Sequence, residues 1–575
     1  MNISKTYRLA WFLVLLLVGI SSAVAQTTAD TTGTDDGFIQ RSVKITGQVG
    51  AYGELYGISG RESRRPSSTG RIFLMPKITF LNQLSLNFNI MLTTEGVSAR
   101  QNMSQLGLDP SWGWGDAHIG DFSETFSKYT LDGITIRGGG VNLRPGDGVF
   151  RFSAVAGRSK RSVRGGAQNK SYNRTIYGGK IGVGKENASH IDLILVRAKD
   201  DLNSLPPDTS LVTTDSLFAD TTVVGNPPSN PFAITPQENI VGGISWRLDL
   251  AEAISWESEV TGSIFTKDLR SSPIEPDRLD IPGVVESFYT PRFSSSADFV
   301  VDSRVSLRLS KFSGSFGYKW IGPGYTSLGT AYLINDQQAF NTNLSFRLSS
   351  TRISVNYTRQ NDNLLEQKRF TNVQNRYGGS LNNRFGDNWN SNITANITIR
   401  DNDAASDSSA NRFDNLALST NQTFTFSGSD LFQNLNLNYT YQSATTEVGV
   451  LPASENRTHS FNGSLSFQFS ENLRGNARLG LVSNQVSDTL TTNVQTYGVG
   501  LNHSALDNRM TNSLSVTASA RSGDLNFRTR LSSNYKLTDK DVISLNLSMT
   551  NFTTDTAGRS DFNEFVGSLR ITHRF

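Results

Sequence analysis

No cysteine occurs among the 575 residues. That absence excludes disulfides, thiolate metal sites, a cysteine nucleophile and a lipid-modified cysteine anchor. An excess of one charge is missing too: 54 Lys and Arg stand against 51 Asp and Glu, for a net charge of +3. Such a balance gives no basic footprint for nucleic acid and no strong long-range steering. Histidine is scarce, with five in the chain. Long apolar runs are also lacking. Leu9 to Ile20 falls short of the roughly 20 residues that a helix needs to cross a bilayer.

That one apolar run has a reading of its own. Lys5 and Arg8 precede it, and Ala23-Val24-Ala25 forms a small-residue cleavage site before Gln26. These parts together predict a secretory signal peptide over 1–25, hence an exported chain. Residues 26–41 are polar and rich in Thr and Asp, and read as a disordered periplasmic lead.

From there to the end the dominant signal is alternation. Ile393, Ala395, Ile397 and Ile399 alternate with Asn392, Thr394, Asn396 and Thr398. Leu435, Leu437, Tyr439 and Tyr441 alternate with Asn436, Asn438, Thr440 and Gln442; Ile543, Leu545, Leu547 and Met549 alternate with Ser544, Asn546, Ser548 and Thr550. A period of two means a strand with one apolar and one polar face. A soluble sandwich alternates in the same way, so other features decide. Segments of about ten residues recur some twenty-odd times, the length of a tilted membrane-crossing strand. The polar face is mostly Asn, Ser and Thr, which suit a wet lumen. Trp246, Trp256, Trp320, Trp389, Tyr439, Tyr441 and Tyr535 fall near segment ends, where aromatic girdles lie. A mean hydropathy of −0.33 is compatible, because each lipid-facing residue is matched by a polar one inside.

The last eleven residues, Phe565 to Phe575, alternate throughout and end on an aromatic residue. This stretch resembles the C-terminal strand of Gram-negative outer-membrane β-barrels. The resemblance implies that Leu569, Ile571 and Phe575 form the signal read by the barrel-assembly machinery. His573 departs from the pattern, occupying a position that is usually apolar. The fold expectation is all-β: one antiparallel transmembrane barrel over 42–575, with about 24 strands, or 26 as the alternative. Short turns such as 81–83, 144–148 and 251–253 alternate with long polar links, so the short ones are expected in the periplasm.

Two stretches interrupt the pattern. Residues 95–130 are expected to be one long outer insertion, folded into the lumen, with Trp112 and Trp114 as a constriction. A hairpin hidden there gives the 26-strand alternative. Residues 199–237 carry Pro206, Pro207, Pro227, Pro228, Pro231 and Pro236, and read as an outer loop.

Three segments resemble a family of large, poorly characterised outer-membrane barrels. The first is Gly120-Asp121-Phe122 with Tyr129-Thr130-Leu131-Asp132-Gly133 and Arg137-Gly138-Gly139-Gly140-Val141. The second is Ile321-Gly322-Pro323-Gly324-Tyr325-Thr326-Ser327-Leu328-Gly329 with Asn335-Asp336. The third is Asp362-Asn363-Leu364. That family brings no established chemistry with it. A weaker likeness links the Gly-Asp and Arg-Gly pairs to fimbrial ushers. An usher needs a folded plug and periplasmic domains at both ends, which 26–42 and the terminal strand do not provide.

Candidate chemistry is thin. His118 with Asp116 and Asp121 resembles the acid–His pairs of outer-membrane proteases in residue type alone, and a loop or lumen role is the expectation. Asp401-Asn402-Asp403 with Asp407 lacks the Gly and Glu of a calcium loop. No catalytic residue, metal or cofactor is assigned. Ser159-Lys160-Arg161-Ser162-Val163-Arg164 is a basic loop that suits anionic lipopolysaccharide, a partner expected beside outer-membrane lipid. The three consecutive glycines 138–140 suit close packing of a lumen element. Arg304, Arg308, Arg474, Arg478, Arg528 and Arg530 are expected to line the lumen, since each would cost roughly 2–4 kcal/mol facing mid-bilayer lipid. They suggest a weak anion preference. The functional expectation is a passive or gated channel for solutes or a secreted chain. The alternative is a structural or surface-interaction barrel, serving a secretion or motility assembly or acting as an adhesin. An enzyme is not expected.

Overall fold

The computed structural model describes residues 43–94, 104–164, 170–205, 234–274, 288–404, 406–487 and 489–575. The predicted signal peptide and lead, and most of the predicted Pro-rich loop (206–233), lie outside them. The first strands are β1 (Val43–Ser59), β2 (Ser68–Phe80), β3 (Leu84–Thr93), β4 (Gln105–Trp112), β5 (Gly115–Ser123), β6 (Thr135–Leu143), β7 (Phe150–Lys160), β8 (Arg174–Gly184) and β9 (His190–Asp200). There follow β10 (Glu238–Ala251), β11 (Ile254–Thr266), β12 (Ser295–Arg308), β13 (Phe312–Ile321), β14 (Gln337–Leu348), β15 (Thr351–Asn361), β16 (Asn372–Phe385), β17 (Trp389–Asn402) and β18 (Asn411–Thr425). The last are β19 (Phe432–Val448), β20 (Ser454–Ser470), β21 (Leu473–Val486), β22 (Leu490–Ala505), β23 (Met510–Arg521), β24 (Asp524–Lys536), β25 (Asp541–Thr554) and β26 (Phe562–Arg574).

Each strand pairs antiparallel with its sequence neighbours, and β26 returns to β1, with Tyr52 opposite Arg570 and Gly57 opposite Phe565. The sheet is a closed barrel, which leaves no edge with unpaired backbone groups. The closing contact is reciprocal: Gly47 N donates to Phe575 O (2.9 Å) and Phe575 N donates to Gly47 O (3.1 Å). His573 has its own explanation here. Its Nδ1 lies 2.7 Å from Asp541 on β25, so the polar side chain is paired at the strand end.

The strand count is 26, the larger of the two expectations. Residues 95–130 are not one insertion: 105–112 and 115–123 form the hairpin β4–β5. A hairpin adds two crossings, so every other loop keeps its side. It hides well in the sequence. Both strands are short, β4 carries Pro110, and Gly120 takes φ +98°.

Strand parity divides the wall into two faces. On β8 and β9, Tyr177, Ile181, Leu193 and Leu195 are more than half exposed, as a lipid face requires. The alternating Ile176, Ile194 and Val196 are almost fully buried. Carrying this parity through the pairings gives one consistent inner face around the ring. The outer face bears aromatic clusters at the ends near the short turns, such as Trp246–Trp256 (5.5 Å) and Phe385–Trp389 (4.2 Å). Such rings suit a membrane interface.

Candidate functional site: a docked segment in the lumen

Apolar side chains buried on an inner face need a partner inside the barrel. The partner is the β5–β6 connection, 124–134, together with the β13–β14 connection, 322–336. Phe126 and Leu131 pack on Ile136, Val155, Ile176, Ile194 and Val196 of β6–β9. Tyr129 and Tyr325 pack on Val241, Val300 and Ile321 of β10, β12 and β13. The wall is thinned to receive them: a Cβ on Gly178 would come within 2.9 Å of the Phe126 ring.

The 124–134 segment is held in shape by a tight turn. Phe126 N donates to Leu131 O (3.0 Å), Leu131 N to Ser127 O (3.2 Å), and the Ser127 hydroxyl accepts from the amides of Tyr129 and Thr130. The two connections then bind each other. Tyr325 Oη donates to Tyr129 O (2.9 Å), Ser327 Oγ donates to Thr130 O (2.7 Å), and Asp132 bridges in parallel to Thr330. Asn239 on β10 ties down the second connection, donating to Thr326 O (3.0 Å) and accepting from Leu328 N (2.9 Å).

A third stretch completes the arrangement. Asp336 accepts the amides of Asn363 (3.0 Å) and Leu364 (2.8 Å) and pairs with Lys368. Burial alone would raise the Asp336 carboxyl, but Lys368 and these two amides outweigh it and hold it below the usual range. The three sequence segments singled out by resemblance therefore meet in space. Together they are the lumen element and its anchor.

Polar groups fasten the segment to the wall. Ser127 Oγ donates to Glu259 on β11, and Asp302 on β12 accepts both the Tyr129 hydroxyl (2.6 Å) and the Lys128 ammonium. Burial, then the Asp302 bond, push the Tyr129 phenol far above its ordinary range, so it remains a donor. Burial does the same for Tyr325. Below the segment, towards the short turns, a recess of about 620 Å³ opens on the inner wall, lined by Arg247, Asp249, Arg308, Asn343 and Asn356 among others.

His118 on β5 lies deeper in the same wall. Its Nδ1 is 2.6 Å from Asp109, and its Nε2 is 3.2 Å from Asp116 and 3.4 Å from Glu124. Its ring stacks on Phe122. Burial would raise the Glu124 carboxyl, yet the His118 and Asn142 bonds hold it below the usual range. Both ring nitrogens are engaged, so the imidazole has no free position for general acid–base work. Asp121 does not join this cluster. It points to the other face and pairs with Arg137 (2.6 Å). No group of His, Cys, Asp and Glu suited to a metal ion occurs among the described residues.

Trp112 and Trp114 stand at the β4–β5 turn, edge to face at 5.5 Å, with Trp114 54% exposed. They are away from the lumen element, whose apolar anchors are Phe126, Tyr129, Leu131 and Tyr325. Arg304, Arg308, Arg474, Arg478, Arg528 and Arg530 fall on the inner face by strand parity. Gly140 faces the Phe122 ring, whereas Gly138 lies against the β7 backbone. Asp401 and Asn402 point to opposite faces of β17, and Asp403 accepts the Thr371 amide, so these oxygens do not converge.

No family model matches the chain, and no curated protein matches it. Among solved structures it is similar to the translocation pore of the P pilus usher PapC, at 10% identity over 92% of this chain and 99% of that one, with a TM-score of 0.36. Pseudomonas aeruginosa OpdK is similar at 11% identity over 59% and 93%, TM-score 0.30. A bacterial polysaccharide outer membrane secretin is similar at 12% over 49% and 91%, TM-score 0.26. Values of this size carry no functional argument. The closed ring, the apolar outer face with its aromatic ends, and the polar inner face make the chain a large outer-membrane β-barrel.

Proposed function

We propose that the protein is a gated channel of the outer membrane, reached by export through the predicted signal peptide. The observation that carries this reading is the one-sided docking of the lumen element. It rests on β5–β13, while the inner face of β14–β26 is lined by Asn, Ser, Thr and Arg, residues suited to water and polar solutes. A barrel of this size is wider than the roughly 16–18 strands that already leave an aqueous channel. An element held by side-chain hydrogen bonds and a small apolar core can restrict that width and still release. The test is single-channel conductance in planar bilayers, comparing the intact protein with Tyr129→Ala/Tyr325→Ala. A small, flickering conductance that becomes large and steady in the variant supports a gate. Equal, wide conductance in both rules the gate out.

A further inference from the structure

The two halves of the lumen differ in how many carboxylates face inward. On the docked side many inner-face charges are paired: Arg151 with Asp192, Arg174 with Asp200, Arg247 with Glu257, and Asp302 with Lys128; among the described residues, Arg304 and Arg308 on β12 have no carboxylate within ion-pair distance. On the other side the inner faces of β14–β26 carry two carboxylates, Asp524 and Glu564. Both stand at the outer ends of their strands, and Arg559 and Arg64 pair with them. Among the other inner-face arginines of that wall, Arg384 pairs with Asp387 in the β16–β17 turn (2.8 Å). Among the described residues, no carboxylate lies within ion-pair distance of Arg474 or Arg478 on β21, or of Arg528 or Arg530 on β24.

These four arginines flank one surface. The pairings run Arg478 to Gly498, Gly498 to Thr517, and Thr517 to Arg528. One step along, Arg530 faces Ser515, which faces Gly500, which faces Asn476. The floor between the arginines is therefore glycine and hydroxyl residues on β22 and β23; Gly498 leaves room for a solute to approach the backbone, whereas the Asn476 side chain covers Gly500. Two cationic rails border a floor of hydrogen-bonding groups. Arg528 already shows the mode of contact, donating to the Thr550 hydroxyl (3.1 Å). Planar guanidinium groups bind carboxylate and phosphate in two-point fashion, while hydroxyl and amide groups take neutral oxygens.

We propose that this face of β21–β24 is a selectivity site for anionic, hydroxyl-rich solutes, with sugar phosphates and sugar acids as the chemical class. The proposal rests on the channel reading for its role in transport, but binding at the site does not require conduction. Two measurements separate them. Isothermal titration of the detergent-solubilised full chain compares glucose 6-phosphate with glucose. Reversal potentials in a salt gradient measure anion against cation permeability. Glucose 6-phosphate is expected to bind and glucose not to, with affinity falling as salt is raised. Arg478→Gln or Arg528→Gln is expected to weaken binding about fivefold each, the size of one unit-charge contact in water-like surroundings. Arg478→Lys, which keeps the charge, is expected to lose less. Anion preference should drop in the same order. Binding without conductance sinks the channel and leaves the site standing. Conductance with no anion preference, together with no difference between glucose 6-phosphate and glucose, overturns the site. The salt series on the unmodified chain decides the matter even where a glutamine variant does not fold.

Discussion

The hydroxyl of Tyr325 donates a 2.9 Å hydrogen bond to the backbone carbonyl of Tyr129, across 196 residues of chain. Tyr325 is 1% exposed and Tyr129 is 3% exposed, so the bond is made where water does not reach. It joins two connections that each leave the barrel wall at the outer side and turn inward. Removing the hydroxyl leaves a buried carbonyl without its donor, which costs about 1–3 kcal/mol. Tyr325→Phe preserves the ring and the apolar packing. It should raise the fraction of time the lumen element is undocked by roughly 5- to 30-fold per one to two kcal/mol. Open probability in single-channel records is the readout. An unchanged open probability removes this bond from the docking energetics.

Gly329 sits where the two connections cross. A Cβ at that position would lie 2.3 Å from the carbonyl oxygen of Thr130, and the obstacle is backbone, not a mobile side chain. Gly329→Ala should therefore push the connections apart, at a cost on the order of 1–3 kcal/mol. Amides donated within the turn, those of Phe126 and Leu131, should exchange with deuterium faster, while strand amides of β18–β22 keep their protection. Slow exchange at Phe126 in the variant would show that the crossing can relax without undocking.

How far these features were legible depends on which face a residue serves. Alternation in β14–β26 reads directly, because lipid and water demand opposite chemistry on the two faces. The docked side obeys a different demand. In β9 the residues Ile191, Leu193, Ile194, Leu195 and Val196 form a nearly unbroken apolar run. A strand with water on its inner face would not carry Ile194 and Val196. Phe299, Val300 and Val301 in β12 repeat the signal. Apolar inner-face residues thus mark where a lumen element docks, and they could have located it. The tryptophans misled because large aromatic residues between glycines suggest burial, whereas Trp112 and Trp114 belong to a tight turn. Residues 124–134 contain the real anchors, but nothing local in that short stretch says which way it folds. Only its contacts with strands far along the chain decide that.

The seam between β26 and β1 gives a prediction for assembly. Phe575 exchanges two backbone hydrogen bonds with Gly47 and stacks against His573. We infer that Leu569, Ile571 and Phe575 act as the recognition stretch for the assembly machinery and also complete closure. Deleting Phe575 removes both bonds at the barrel end. The folded fraction, read as the heat-modifiable band on a gel of outer-membrane material, should fall several-fold, while in vitro refolding into detergent is affected less. Equal loss in both settings would assign the residue to closure alone.

The anchor between Asp336 and Lys368 has a pH window whose two edges differ in sign. Hydrogen bonding from Lys368 and the amides of Leu364 and Asn363 outweighs burial and leaves the Asp336 carboxyl below its unfolded value. Its contribution is therefore complete above about pH 4, the unfolded aspartate value, and is lost as pH falls through the depressed folded value. Lys368 moves the other way: its bond to Asp336 raises it despite some burial. Its contribution is complete below about pH 10, the unfolded lysine value, and is lost as pH rises through the folded one. The chain has no native cysteine, so a nitroxide on Glu366→Cys reports this connection alone. Its spectrum should stay ordered across that window and become mobile in acid below it. Asp336→Asn should be mobile at neutral pH and insensitive to acid, because the group that titrates is gone. A spectrum of the unmodified anchor that is equally ordered well below the carboxylate range would show that the amides of Asn363 and Leu364 hold the connection without the charge.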